Sequence, residues 1–352
     1  MRVILRNVSF LAVLFLNLWA DKTEDGIKLY NNKEYDKAGA LFKESCDIGD
    51  YLGCFWLGDM YLYGTGGFRD KMLAAELHKK ACDGGYAKAC GNLGYAYLEG
   101  KQIPKDYAGA LQMYQKGCDG GNMFSCSELG YMHEMGFGVK ADYKTAIEYY
   151  QKACDGSYPS ACNSLASMYY KGVGVSKDYA AAAKLYEKGC ESNHINSCAW
   201  IGSMYQKGEG VTKDMTVAAK FLQKACDGNN AYGCSELAMI YFRGNGAAQN
   251  YYKAAEFAQK ACNLGNAIGC SDLAYMYGRG QGVPLDYKKS TSFYEEGCRF
   301  GNAIGCYNVG VAYIDGKGVA KNADKAKEYY KKACELGDQV GCEDYEKINQ
   351  KK

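Results

Sequence analysis

The 352-residue chain carries 42 basic and 40 acidic residues, 18 cysteines, 44 glycines, 33 tyrosines, 3 histidines and 3 prolines. A formal net charge of +2 argues against a basic nucleic-acid binder, and 48% hydrophobic residues interleaved with charge exclude a polytopic membrane protein and a disordered chain. With few histidines and no C-x2-C pair, neither a metal nor another cofactor is expected.

The first element is a targeting segment. Arg2 and Arg6 form a basic region, and Val8 to Leu16 form a short apolar region, so residues 1–20 read as a signal peptide ending at Ala20. Leu18 is less usual than alanine at the −3 position, and an uncleaved N-terminal anchor is the other reading. The apolar run falls short of the roughly 20 residues a membrane span needs, so no membrane insertion is expected after cleavage. Loss of Arg2 and Arg6 leaves forty basic and forty acidic residues. The expected location is secreted or periplasmic, where disulfides are the default state of cysteine.

Residues 21–352 read as one repeat array. The hairpin over 22–46 is atypical, because Asn31-Asn32-Lys33 stands where later units have Gly-x-Gly. Cysteines then fall at 46, 54, 82, 90, 118, 126, 154, 162, 190, 198, 226, 234, 262, 270, 298, 306, 334 and 342. These are nine C-x7-C pairs, each 36 residues after the last, a period that belongs to solenoids of helical hairpins. One hairpin cannot bury its own apolar face, so stacked units must share a core.

The unit from Cys162 to Cys190 shows the predicted elements. Cys162, Leu165, Ala166 and Tyr169 share one face of a first helix, as Leu129, Gly130 and His133, Leu237, Ala238 and Tyr241, and Leu273, Ala274 and Tyr277 do elsewhere. Gly172 ends that helix, with Gly136, Gly208, Gly244, Gly280 and Gly316 as its equivalents, in the left-handed position glycine favours. Asp178 opens the second helix as an N-cap, with Asp106, Asp142, Asp214 and Asp286 in the same place. Ala182, like Ala110, Ala146, Ala218 and Ala254, allows a close helix contact. The second helix ends at the first cysteine of the next pair, and 339–352 forms a polar C-terminal cap helix.

Each C-x7-C pair therefore joins the end of one second helix to the start of the next first helix. Nine equal spacings argue for nine local disulfides: Cys46–Cys54, Cys82–Cys90, Cys118–Cys126, Cys154–Cys162, Cys190–Cys198, Cys226–Cys234, Cys262–Cys270, Cys298–Cys306 and Cys334–Cys342. Each ring is worth about 2.5 kcal/mol on a loop-entropy model. A thiolate metal site is the rival reading, disfavoured by the spacing.

The unit L-G/A-x-M-Y-x-x-G-x-G-V-x-x-D-Y-x-x-A resembles the Sel1-like repeat, a relative of the tetratricopeptide repeat. With the C-x7-C pairs and the signal segment, the chain resembles more narrowly the Helicobacter cysteine-rich proteins. The resemblance implies an all-α, right-handed α/α superhelical solenoid of about nine hairpins. It also implies an adaptor, a partner in host interaction, or a penicillin-binding protein or β-lactamase. The sequence itself has no S-x-x-K, S-D-N or K-T-G motif. Ser167 with Lys171 and Ser203 with Lys207 stand four apart on a helix, which puts each pair on one face. A solvated polar face is the simpler reading of both, and no catalytic residue is assigned. His78, His133 and His194 are scattered, and the first two take slots usually held by tyrosine.

Binding is expected along the concave side, lined by first helices. Residues two, five and nine past each second cysteine share the face opposite the core stripe. In the first half they include Trp56, Asp59, Tyr63, Tyr95, Glu99, Glu128 and Tyr131; in the second, Trp200, Glu236, Asp272 and Tyr275. These vary from unit to unit, whereas core positions are expected to vary little. Lys171, Lys207, Arg243 and Arg279 form a cationic row that could hold a carboxylate, or could simply complement helix dipoles. Trp56 and Trp200 read either as interface anchors or as packing residues. The expected function is a monomeric, exported scaffold. Its ligand would be a peptide, a partner protein or a peptidoglycan stem peptide, with β-lactam binding or hydrolysis as the alternative.

Overall fold

A computed structural model of the chain describes residues 22–67, 69–101 and 103–350. The signal segment lies outside these residues. The described residues form 19 helices and no strand, in two compact units that divide between Ser176 and Lys177. The first unit contains α1 (22–31), α2 (Tyr35–Asp47), α3 (Tyr51–Tyr63), α4 (Lys71–Asp83), α5 (Ala87–Glu99), α6 (Tyr107–Asp119), α7 (Met123–Met135), α8 (Tyr143–Asp155) and α9 (Pro159–Lys171). The second contains α10 (Tyr179–Glu191), α11 (Ile195–Lys207), α12 (Met215–Asp227), α13 (Ala231–Arg243), α14 (Tyr251–Asn263), α15 (Ala267–Arg279), α16 (Tyr287–Arg299), α17 (Ala303–Asp315), α18 (Ala323–Glu335) and α19 (Gln339–Gln350). Odd helices from α3 onward are first helices of their hairpins, and even helices are second helices. The architecture is an all-α solenoid of tandem hairpins.

Capping residues set the helix ends. Gly280 closes α15 at φ 68°, donating its N–H to the Met276 carbonyl. Two residues on, Gly282 has φ 72°, and a Cβ there would lie 2.0 Å from the Tyr251 carbonyl oxygen of the preceding hairpin. The loop thus seats on backbone, which only glycine permits. Asp142, Asp178, Asp214 and Asp286 cap their second helices through side-chain oxygens. Asp106 departs from the expected pattern: it has N-cap dihedrals but accepts no capping bond, and its carboxylate lies over Gly109. First helices have caps of their own. Asn122, Asn230, Asn266 and Asn302 accept from backbone N–H groups three residues on, and His194 does so for α11.

Within a hairpin, a small residue of the first helix faces a large one of the second. A Cβ on Gly94 would meet the Tyr114 ring at 2.8 Å, and Gly130 has the same relation to Tyr150. In the second unit Gly310 faces Tyr330 in this way. A second pair of rings stacks beside it: Tyr205 on Phe221, Tyr241 on Phe257, Tyr277 on Phe293 and Tyr313 on Tyr329, with centroids 5.6–5.9 Å apart. The expectation of little core variation needs correction. The register of Tyr114, Tyr150, Tyr186, Tyr294 and Tyr330 holds His78, Leu222 and Ala258 in other hairpins. Caps and backbone contacts recur in all these hairpins, so the same hairpin forms with different side chains in this register.

All eighteen cysteines are paired as nine disulfides, with Cα atoms 4.4–4.7 Å apart. That removes the thiolate metal reading and places the chain in an oxidising environment. No helix among the described residues is long and apolar enough to cross a membrane. A further link between repeats has no local sequence signal. Lys80, Lys152, Lys224 and Lys260 each donate to the carbonyl of the first cysteine one repeat back, at 2.6–3.3 Å. An ammonium there meets the negative end of the preceding second helix.

Candidate functional site

The first-helix face of the first unit is polar and aromatic. Tyr95 is exposed, and with Tyr63, Asn92, Glu99, Arg69 and Phe124 it lines a depression of about 410 Å³. Glu99 pairs with Lys101 at 2.5 Å, and that bond and charge hold its carboxyl below the usual range. Asp59 Oδ1 accepts from Asn92 Nδ2 at 3.1 Å and lies 3.1 Å from His78 Nε2. His78 is buried, so its imidazole faces the core, and donation to Asp59 needs the Nε2–H tautomer. Burial pushes Glu128 up to about 7. Tyr131 is exposed and meets Phe137 edge-on. Trp56 is half-buried, stacked on Phe42 at 5.8 Å and tilted on Tyr30 at 5.5 Å, so it belongs to an aromatic cluster. Lys171 occupies the last turn of α9.

The second unit presents cations and a cavity. Lys207, Arg243 and Arg279 stand in the last turns of α11, α13 and α15, each just before a left-handed glycine. That position favours a cation without any ligand. Arg279 also lies over the Tyr275 ring, 5.1 Å from its centroid. Trp200 stacks on Tyr186 at 5.8 Å yet stays 40% exposed. Arg243, Asp272 and Tyr275 surround a cavity of about 240 Å³ whose apolar wall includes Ala238, Ala258 and Met276. Burial, then the Glu236 charge, pushes Asp272 up to about 6, while Arg243 pulls it back.

Two expectations are revised by these placements. At Asn92, Glu128, Glu236 and Asp272 the position two past the second cysteine does not point away from the core, whereas Trp200 in the same position stays exposed. These four sit in the seam between neighbouring first helices, as the Asn92–Asp59 and Gln206–Glu236 bonds show. Glu128 and Asp272 are drawn from water for that reason. Nor is Ser203 part of a solvated face. It is 3% exposed, and the Tyr232 hydroxyl donates to its Oγ at 3.3 Å. Among the described residues no hydrogen bond joins Ser167 to Lys171 or Ser203 to Lys207, so neither pair forms the nucleophile–base contact that acyl transfer requires. The remaining histidines have structural partners. His133 stacks on Tyr149 at 5.6 Å. His194 Nδ1 accepts from the Ser197 N–H at 3.3 Å, which requires the neutral ring that burial favours.

The fold and its bridges define a disulfide-braced protein of helical-hairpin repeats. The Sel1 repeat model matches residues 52–86, 87–122, 124–158, 159–194, 195–230, 231–266, 267–302 and 303–338, and the chain belongs to the Sel1 repeat family, whose repeats serve as protein-interaction modules. Among solved structures it is similar to c5321, a protective antigen present in uropathogenic Escherichia coli strains displaying an SLR fold. That likeness has 28% identity and a TM-score of 0.82, covering 89% of this chain and 67% of the other. A Sel1 repeat protein from Oxalobacter formigenes is 21% identical with a TM-score of 0.66, covering 87% and 89% respectively, which shows the fold. Helicobacter pylori cysteine rich protein B is 34% identical over 37% of this chain and 93% of its own, with a TM-score of 0.32. No curated protein matches the chain.

Proposed function

We propose that the chain is an exported scaffold, secreted or periplasmic, that holds an extended peptide segment of a partner protein on its first-helix faces. One observation carries the reading. Disulfides, caps and loop glycines recur from hairpin to hairpin, while the exposed first-helix side chains change from Tyr95 and Tyr131 to Trp200, Lys207, Arg243, Tyr275 and Arg279. Aromatic and arginine side chains are the common anchors of protein interfaces. The cations suit carboxylates, including the free carboxylate of a stem peptide or a chain terminus. The nine disulfides and the basic-then-apolar leader support export.

The test is selection from a displayed random-peptide library on the purified, oxidised chain. Peptides enriched in acidic residues are expected. Lys207→Glu combined with Arg243→Glu should weaken the best binder by about tenfold or more, as loss of charge-assisted contacts implies. Unchanged affinity in that variant would overturn the assignment of these cations.

A further inference from the structure

The cavity beside Ala258 has the place of a missing ring. In the hairpins of α5 and α6, α7 and α8, and α17 and α18, a tyrosine ring lies directly over the small residue of the first helix. Ala258 is the same register in the hairpin of α13 and α14. Ala238 and Ala258 both line the space that a ring fills elsewhere. Arg243 and Tyr275, both exposed residues of first helices, also line the cavity. Its volume, about 240 Å³, is below the range of roughly 300–1,000 Å³ typical for whole small-molecule ligands. It is sized for one side chain.

The polar chemistry is equally specific. Asp272 lines the cavity and sets a carboxyl at its wall; the Oδ2 of that carboxyl is sealed from solvent and has no hydrogen-bond partner among the described residues. The walls contributed by Met239, Phe242 and Met276 are apolar. An apolar slot with an acceptor at its edge matches a ring with a hydroxyl.

We infer that this cavity is a receptor for the phenol side chain of a tyrosine presented by a peptide partner, with its ring over Ala238 and Ala258 and its hydroxyl donating to the Asp272 carboxyl at the cavity wall. The ligand completes from outside the packing that other hairpins complete from within. The assignment rests on reading the second unit's first-helix face as a peptide surface, but a small probe tests the cavity by itself.

The experiment is titration of the oxidised full-length mature chain with p-cresol, followed by ligand-observed NMR and calorimetry. p-Cresol should bind, and toluene, which lacks the donor, should bind about tenfold more weakly. Ala258→Tyr restores the common register and should reduce p-cresol binding by at least about tenfold while the helical melt is retained. Ala258→Leu introduces the side chain that the adjacent hairpin carries in this register at Leu222. It fills the slot with a smaller group and serves if the tyrosine variant fails to fold. Equal binding to the wild type and the filled variant would sink the cavity as the site. Equal binding of toluene, or stronger binding of n-butylammonium, would overturn the phenol assignment. Selected peptides that bind while p-cresol does not would reject the pocket and leave the peptide surface standing. p-Cresol binding with no peptide selected would reject the surface instead.

Discussion

Glu128 and Asp272 occupy one register in the two units, each two residues past the second cysteine of its pair. Both are drawn into the seam between first helices, and burial raises both, to about 7 and about 6. What accompanies them differs. Near Glu128 the Tyr114 ring is fully buried, its own ionisation pushed up first by burial and then by the Glu128 charge. Beside Asp272 the equivalent residue is Ala258, and a cavity remains. One unit closes the register with a ring, and the other leaves it open. Caps, bridges and loop glycines recur in both, so the same hairpin forms with either side chain.

The comparison breaks most easily at the ring. Tyr114→Ala should cost about 3–5 kcal/mol in urea unfolding followed by helical circular dichroism, as large core truncations do. Ala258→Tyr should change stability by less than about 1.5 kcal/mol. If the first substitution proved as mild as the second, the two registers would not be equivalent in packing.

The acids provide a finer test. Glu128 has a folded pKa above its unfolded value, so the folded chain holds the extra proton between roughly pH 4.3 and 7. Its favourable contribution is present below the lower limit and is lost as pH rises through the upper one. Glu128→Gln should therefore stabilise the chain at pH 8 by on the order of 1–2 kcal/mol and leave stability at pH 4 unchanged. Asp272→Asn should do the same over a window that ends near pH 6. Denaturant midpoints measured across pH 4–8 would show either slope.

The smallest effect sets the background. Burial lowers the His194 pKa, so its stabilising contribution is present above the ordinary histidine value near 6.5 and is lost as pH falls through the folded value. His194→Asn keeps a capping acceptor, as Asn230, Asn266 and Asn302 do. It should remove a slope of only a few tenths of a kcal/mol from the same titration. A larger change would mean that pH dependence assigned to the two acids arises partly at this cap.

Periodicity makes the hairpins, their glycine ends and the cysteine pairing legible, because each rests on local chemistry that repeats. Asp178 can be read as a cap from its position alone. The caps by Asn122 and its equivalents are as visible, yet they sit inside the C-x7-C ring, where the cysteine spacing is the louder signal. The Lys224 and Lys260 bonds to carbonyls one repeat back need tertiary stacking and have no local signature. Ala258 does carry a signal, an alanine where most units have tyrosine. That signal lies on the second helix, away from the first-helix face where a solenoid's ligand variation is expected. The burial of Asp272 and Ser203 follows from how first helices abut, which helical periodicity within one segment does not encode.

The bridges have a consequence for how the molecule survives cutting. Each turn between hairpins, such as Gly84-Gly85-Tyr86, lies inside the ring closed by its own cysteines. A protease that severs such a turn leaves both new ends tethered, and the nicked chain stays one covalent molecule. Release of a fragment requires a cut outside the rings, where the loops between the two helices of a hairpin are the non-helical segments. Those loops are seated on neighbouring backbone through residues such as Gly282. The exposed, non-helical positions at which cutting divides the chain are thereby reduced to about one short segment per repeat.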